Sequence, residues 1–236
     1  MSDSELLVTA LAELARLMAA DDTTGLLRHV IVSAAELLES TGAGVLRVSD
    51  GPEDGQPGAI TASPVRLEAL ERSQFDAARG PALEAMRHGD SVAVTEIGKY
   101  LDVWPEYATA AAQHAVFSVA SFPLRHCEVS IGALSIYSTE RRDWALPDLS
   151  VGELLAQMTA GHLVTVERLR EQQLLADQLQ HALDARVVIE QAKGVIANAR
   201  NIAPDAAYKL IRAHARRNRI SVAAVATGIV ELRLRI

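Results

Sequence analysis

The sequence predicts an α+β fold, an antiparallel sheet flanked by helices, with a long helix and an all-α three-helix bundle behind it. Three observations carry this reading. Five short β-branched or period-two runs lie within residues 44–138, with helices before and between them and apolar stripes in the two that come before. Residues 147–186 then form a long helical pattern almost free of Gly and Pro. Finally, the last 46 residues repeat short amphipathic stretches and turn basic within an otherwise acidic chain.

In chain order, a first helix is expected from Ser4 to Ala20 and a second from Thr24 to Ser40. Their stripes are Leu6, Leu7, Ala10, Leu14 and Leu17, then Leu27, Val30, Ile31, Ala34, Leu37 and Leu38. Strands are expected at Gly44–Val48, Ala59–Ser63, Ser91–Val94, Ser118–Leu124 and Ser130–Ser138. The Gly- and Pro-rich stretch from Gly51 to Gly58 reads as a hairpin loop between the first two. Adjacent hairpins at both ends of the strand set, with helices around them, indicate an antiparallel sheet. In the long helix, Leu169, Ala176 and Leu183 recur by sevens, and Leu175 and Leu179 fill the same side. That spacing points to a coiled-coil seam and a homodimer; the other reading is a helix packed on the domain that precedes it. The expected organisation is a domain over 1–165, a helical linker over 166–186 and a small domain over 187–236.

Three short helices are expected in the small domain. From Val188, the apolar positions Ala192, Val195 and Ala199 recur at helical spacing and set Lys193 and Arg200 on a different face. Pro204 suits a first helical position and Asp205 the first turn of the second helix, whose buried stripe is Ala207, Leu210, Ile211, His214 and Ala215. Ser221 is placed to cap a third helix, which turns Val222, Val225, Ala226 and Ile229 inward. Alanine dominates these packing positions, so the bundle buries little area and depends on its neighbours or on dimerisation.

Charge separates the two ends. Gln191–Ile236 holds nine Lys/Arg against two acids, a net of +7; since the whole chain carries −7, residues 1–190 carry −14. Lys209, Arg212, Arg216 and Arg219 follow one another at spacings of three, four and three, and so line one edge of the second helix and its exit. A charged helix face is ordinarily just a solvated surface, but here the interspersed acids are almost absent, and phosphate binding needs such an uncompensated stripe. Tyr208 is either a base-stacking aromatic or a half-buried member of the bundle. The basic helix has no Trp or Phe on its apolar face, which disfavours a membrane surface.

The blocks Glu190-Gln191-Ala192-Lys193-Gly194-Val195-Ile196, Asp205-Ala206-Ala207-Tyr208-Lys209-Leu210-Ile211-Arg212 and Ile220-Ser221-Val222-Ala223-Ala224-Val225-Ala226 resemble the ANTAR domain over about residues 187 to 231. The resemblance implies an RNA-binding transcription antiterminator whose ligand is RNA with paired small stem-loops, each domain of a dimer reading one hairpin loop. Matching motif positions make Lys193, Gly194, Tyr208 and Arg212 contact candidates. Gly194 without a side chain either admits a close backbone approach or serves a helix–helix contact. Arg200, Lys209, Arg216, Arg217 and Arg219 are added from charge and spacing alone.

Gly80-Pro81-Ala82-Leu83-Glu84-Ala85-Met86-Arg87-His88-Gly89-Asp90, Trp104-Pro105-Glu106-Tyr107, Ser118-Val119-Ala120-Ser121-Phe122-Pro123-Leu124 and Ile131-Gly132-Ala133-Leu134-Ser135-Ile136-Tyr137 together look like a GAF domain over about residues 10 to 165. That implies a sensor for a small molecule or another signal, with no residue naming the ligand. Cyclic-nucleotide, haem and bilin signatures are absent, and Arg79-Gly80-Pro81 departs from the acidic, Cys-containing stretch of related sequences.

No catalytic arrangement emerges. Cys127 beside His126 reads as a small strand residue, since strand neighbours point to opposite faces. The remaining histidines are scattered without zinc-ligand spacing, and neither a phosphate-binding Gly-rich loop nor a nucleophile elbow occurs. No cofactor and no metal is expected, and the ligand of the sensor is unknown. One cysteine, an acidic N-terminus and no apolar span point to a cytoplasmic protein. The expected function is RNA-binding antitermination under sensor control; the alternative is a small-molecule-binding signalling scaffold whose helical tail docks a protein partner.

Overall fold

The computed structural model describes residues 3–18, 23–48 and 57–235. Helices α1 (Asp3–Met18) and α2 (Thr23–Leu37) precede strands β1 (Gly42–Val48) and β2 (Pro57–Ser63). Ala20, the expected end of the first helix, and residues 51–56 of the expected hairpin loop lie outside the described residues. Three short helices follow, α3 (Glu68–Asp76), α4 (Pro81–His88) and α5 (Pro105–Gln113), with the short strand β3 (Val92–Val94) between the last two. Strands β4 (Ser118–His126) and β5 (Val129–Ser138) complete a five-stranded sheet of order β2-β1-β5-β4-β3, antiparallel at every pairing.

Helices cover the sheet on both faces, and strand alternation divides the core accordingly. Leu134 and Ile136 of β5, with Ala120, Phe122 and Leu124 of β4, pack against Leu26, Val30 and Ile31 of α2 and against Leu155, Ala156 and Leu163 downstream. Tyr137 and Val119 point the other way, into a second cluster with Leu70 of α3, Trp104, and Tyr107 and Ala111 of α5. A sheet covered twice has no solvated face, so β4 and β5 read as apolar runs rather than as clean alternation.

Cys127 corrects the sequence reading: it sits with Glu128 in the tight β4–β5 turn, exposed and at φ 55°, not within a strand. A two-residue hairpin turn requires left-handed backbone, which overrides the pattern of the flanking strands.

Helix α6 (Leu146–Arg200) runs 55 residues without a break, so the expected stalk and the expected first bundle helix are one element. No Pro interrupts it after Pro147, and Gly194 is tolerated at roughly 1 kcal/mol relative to alanine. The chain forms two compact units, Met1–Glu167 and Arg168–Ile236. In the second, α7 (Pro204–Asn218) and α8 (Val222–Glu231) close a core of Ala192, Ile196, Ala207, Ile211, Ala215, Val225, Ala226 and Ile229. Ser221 caps α8 by accepting the Ala224 N–H at 3.0 Å. The inward face of α6 differs from the expected one: Ile196 is buried, whereas Val195 is 47% exposed and Ala199 is exposed. Val195 and Ile196 are both apolar, and the position of α7 and α8 selects between them.

Candidate functional site

Helix α7 presents the cationic face. Pro204 opens it without a side-chain cap, Asp205 occupies the positive first turn, and the stripe Ala207, Ile211 and Ala215 is buried, with Leu210 and His214 partly so. Burying that stripe turns Tyr208, Lys209, Arg212, Arg216 and Arg217 outward, all exposed. Arg219 terminates the helix at φ 56°, and its N–H returns to the carbonyls of the last turn. Among the described residues, no carboxylate lies within ion-pair distance of Lys209, Arg212, Arg216, Arg217 or Arg219. Arg216 and Arg217 also complement the negative end of the helix, which accounts for part of their placement independently of any ligand.

Lys193 differs from these. Its ammonium donates to both carboxylate oxygens of Glu190, at 2.8 and 2.9 Å. Lys193 is therefore compensated, unlike the stripe on α7; the count of charges from Gln191 onward starts one residue beyond this acid. Lys193 is largely covered while Glu190 is 58% exposed, so the pair is worth at most about 1 kcal/mol and a phosphate can replace the carboxylate at small cost. The same ammonium stands 5.9 Å from the centroid of the Tyr208 ring. Both residues edge a groove of about 330 Å³ floored by Ala182, Ala185 and Ile189. Tyr208 is 36% exposed at the edge of this groove, neither enclosed in the bundle nor fully open.

Arg212 lies one turn beyond Tyr208 on the same helix. Gly194 is exposed, and a Cβ added there would meet nothing within 4 Å, so no helix–helix contact of this chain explains it. Arg200, exposed at the end of α6, lines a separate groove with Arg233 and Arg235. The structure therefore brings Lys193, Tyr208 and Arg212 together, runs Lys209 and Arg216 along α7, and sets Arg200 apart.

A buried network in the first unit leaves no mark in the apolar pattern, because its central members are polar. Glu71 of α3 is fully buried against the sheet, where it accepts from Tyr137 Oη and, at 2.6 Å, from Gln74 Nε2. Burial pushes its carboxyl up to about 7, against the opposing pull of bonds from Tyr137, Ser135 and Gln74. The phenols of Tyr107 and Tyr137 are raised by burial and by the nearby Glu71. Tyr107 Oη is buried with no hydrogen-bond partner. Gln74 Oε1 in turn accepts the Ala82 N–H at 2.9 Å at the start of α4, and Glu84 of that helix accepts from Trp104 Nε1 at 2.8 Å. Gly44 belongs to this arrangement, since a Cβ there would come within 2.8 Å of Glu71 Oε1. The legible clue is polar: Glu71 and Gln74 continue the 3,4-spaced stripe begun by Leu67 and Leu70. Among the described residues, no group of three His, Cys, Asp or Glu is placed to hold a metal ion, and no helix is long and apolar enough to cross a membrane.

Comparison with known families agrees with this partition. A GAF domain model matches residues 20–163 and an ANTAR domain model matches residues 177–230. No curated protein matches the chain. Among solved structures, the chain is similar to the GAF domain of a phosphoenolpyruvate-protein phosphotransferase from Coxiella burnetii, at 14% identity and a TM-score of 0.53, covering 71% of this chain and 98% of that one. The GAF domain of the corresponding Acinetobacter protein matches at 11% identity and a TM-score of 0.50, covering 71% and 97%. A third GAF domain, from Synechocystis in its photoproduct state, matches at 14% identity and a TM-score of 0.51, covering 64% and 99%. At these identities the likeness establishes the fold alone.

Proposed function

Because this chain belongs to the GAF family and carries an ANTAR domain behind its GAF domain, we propose that it is a transcription antiterminator that grips paired stem-loops in nascent RNA under control of the sensor. The observation that carries the reading is the face of α7, where Lys209, Arg212, Arg216, Arg217 and Arg219 stand exposed with no carboxylate opposite them among the described residues. Counterion release from phosphates supplies affinity to such a face, and an exposed ring beside it supplies a stacking platform for an unpaired loop base. In the proposed roles, Lys193, Tyr208 and Arg212 meet the hairpin loop, Gly194 lets its backbone come close, and Lys209, Arg216, Arg217 and Arg219 follow the stem phosphates. Arg200 contributes from the end of α6.

A homodimer makes this arrangement bivalent. Leu169, Leu175, Leu179 and Leu183 on α6 are each more than half exposed, an apolar strip that a second copy of the helix covers in a coiled coil. Two bundles tethered side by side gain effective concentration for a two-hairpin target, and a signal at the GAF domain acts by repacking that seam. The protein then works in the cytoplasm as a regulator rather than an enzyme. Gel-shift titration with paired stem-loop RNA at two salt concentrations tests the reading: affinity falls steeply with salt if it holds, and absent or salt-independent binding overturns it.

A further inference from the structure

The chain beyond the matched family region forms a feature of its own. After α8, Arg233 adopts φ 54°, the Leu232 and Leu234 N–H groups both return to the Gly228 carbonyl, at 3.1 and 2.9 Å, and the Leu234 side chain lies against Gly228. A left-handed residue just past a helix end is ordinarily glycine, and a side chain there costs about 1 kcal/mol. Arginine at this position accepts that cost while adding a long cation. The turn carries Arg233 and Arg235 over the end of α6, where a groove of about 470 Å³ opens. Val195, Ala199 and Leu234 form its apolar floor; Arg200, Arg233 and Arg235 form its rim, and no Asp or Glu of the described residues lines it. Val195 and Leu234 are 47% and 39% exposed, so the floor is open to solvent. On α6, Val195 and Ala199 lie roughly 200° and 240° around the helix axis from Lys193, so this groove is a different place from the Lys193–Tyr208 edge.

We infer that this groove is a second RNA subsite, which takes a nucleotide of the single strand flanking the hairpin, its base on the aliphatic floor and its phosphates on the guanidinium rim. Its volume lies within the range of small-ligand pockets, and the planar donor forks of Arg233 and Arg235 beside an apolar patch match a flat base joined to anionic oxygens. The inference rests on the RNA-binding reading of the α7 face. It adds that recognition extends past the stem-loop, through residues outside the ANTAR match.

The strained turn supplies a clean test. Arg233→Gly installs the residue that the backbone favours, and Arg235→Gln keeps the length and polarity of the tail, so the double variant retains its fold. A stem-loop RNA is selected on the full-length protein from a pool with randomised loops and flanks, then prepared with and without its single-stranded flanks. For the flanked RNA, the double variant binds about ten-fold more weakly and its salt slope drops by about one to two, while the thermal midpoint is no lower than that of the parent. For the blunt hairpin, the two proteins bind alike. Equal affinity of the two proteins for flanked RNA overturns the subsite, as does an equal loss on blunt RNA. Selection of no stem-loop by the parent protein overturns the RNA-binding reading itself, whereas parent binding that is indifferent to the variant removes only the subsite.

Discussion

Glu71 gives the sharpest single-residue prediction. Its carboxyl is raised to about 7 in the folded protein, against an ordinary value of 4.5, because burial penalises the charged form. Between those two values the folded chain holds a proton that the unfolded chain has released, so the contribution of Glu71 to stability is fully present below pH 4.5 and is lost as pH rises to about 7. Thermal scans from pH 5 to 8 therefore show a falling midpoint that levels off above neutrality, and Glu71→Gln removes most of that fall; an unchanged slope in the variant would exclude Glu71 as its source. Among the cations, Arg212→Glu combined with Arg216→Glu abolishes RNA binding without reducing helix content, because both side chains are exposed and outside the core. Retained affinity would leave protein docking as the role of this face. Tyr208→Ala separates stacking from charge: affinity falls by roughly 1–3 kcal/mol while the salt slope is unchanged. Residue types alone located these cations, but not the partner of Lys193. The Glu190 carboxylate is three positions upstream on the same helix turn, and only placement of both side chains shows the ion pair.

Helix α6 concentrates the predictions about elements. From 167 to 184 every residue is exposed, so the leucines of that stretch are not buried by the rest of the chain. Substituting Leu175, Leu179 and Leu183 by Gln is expected to convert a dimer to a monomer in sedimentation equilibrium without lowering the midpoint of the first unit. A parent protein that is already monomeric would remove the seam. Removal of a cap acts oppositely, on the bundle alone: Ser221→Ala leaves the Ala224 N–H without its side-chain acceptor and costs about 1 kcal/mol in the unfolding of the second unit. Element identities were legible wherever a period persisted. All five strands form where the β-branched runs lie, and α7 and α8 follow their stripes, because a repeated apolar position points to one face whatever covers it. Short helices were not: α3 and α4 have nine and eight residues, too few turns for a period to stand out, and α3 carries Glu71 and Gln74 on its buried side.

For the molecule entire, opposed charge at the two ends sets the expected behaviour with RNA. If α6 pairs two copies, RNA with two stem-loops binds at least ten-fold more tightly than either loop alone, and the leucine variants above lose that advantage while keeping single-loop affinity; equal affinity for one and two loops in the parent would show that the bundles act singly. Composition and order of the residues alone established the α+β sheet, the long helix, the small basic bundle and the concentration of cations in its second helix, since each follows from local periodicity and charge. Packing in three dimensions settled the rest. It chose Ile196 over Val195 as the inward residue of α6, closed the Glu71 network across α3, α4 and β5, and folded the tail so that Arg233 and Arg235 line one groove with Arg200. These outcomes depend on which atoms lie within a few ångströms of one another across long stretches of chain, and a one-dimensional pattern of polarity does not encode such distances.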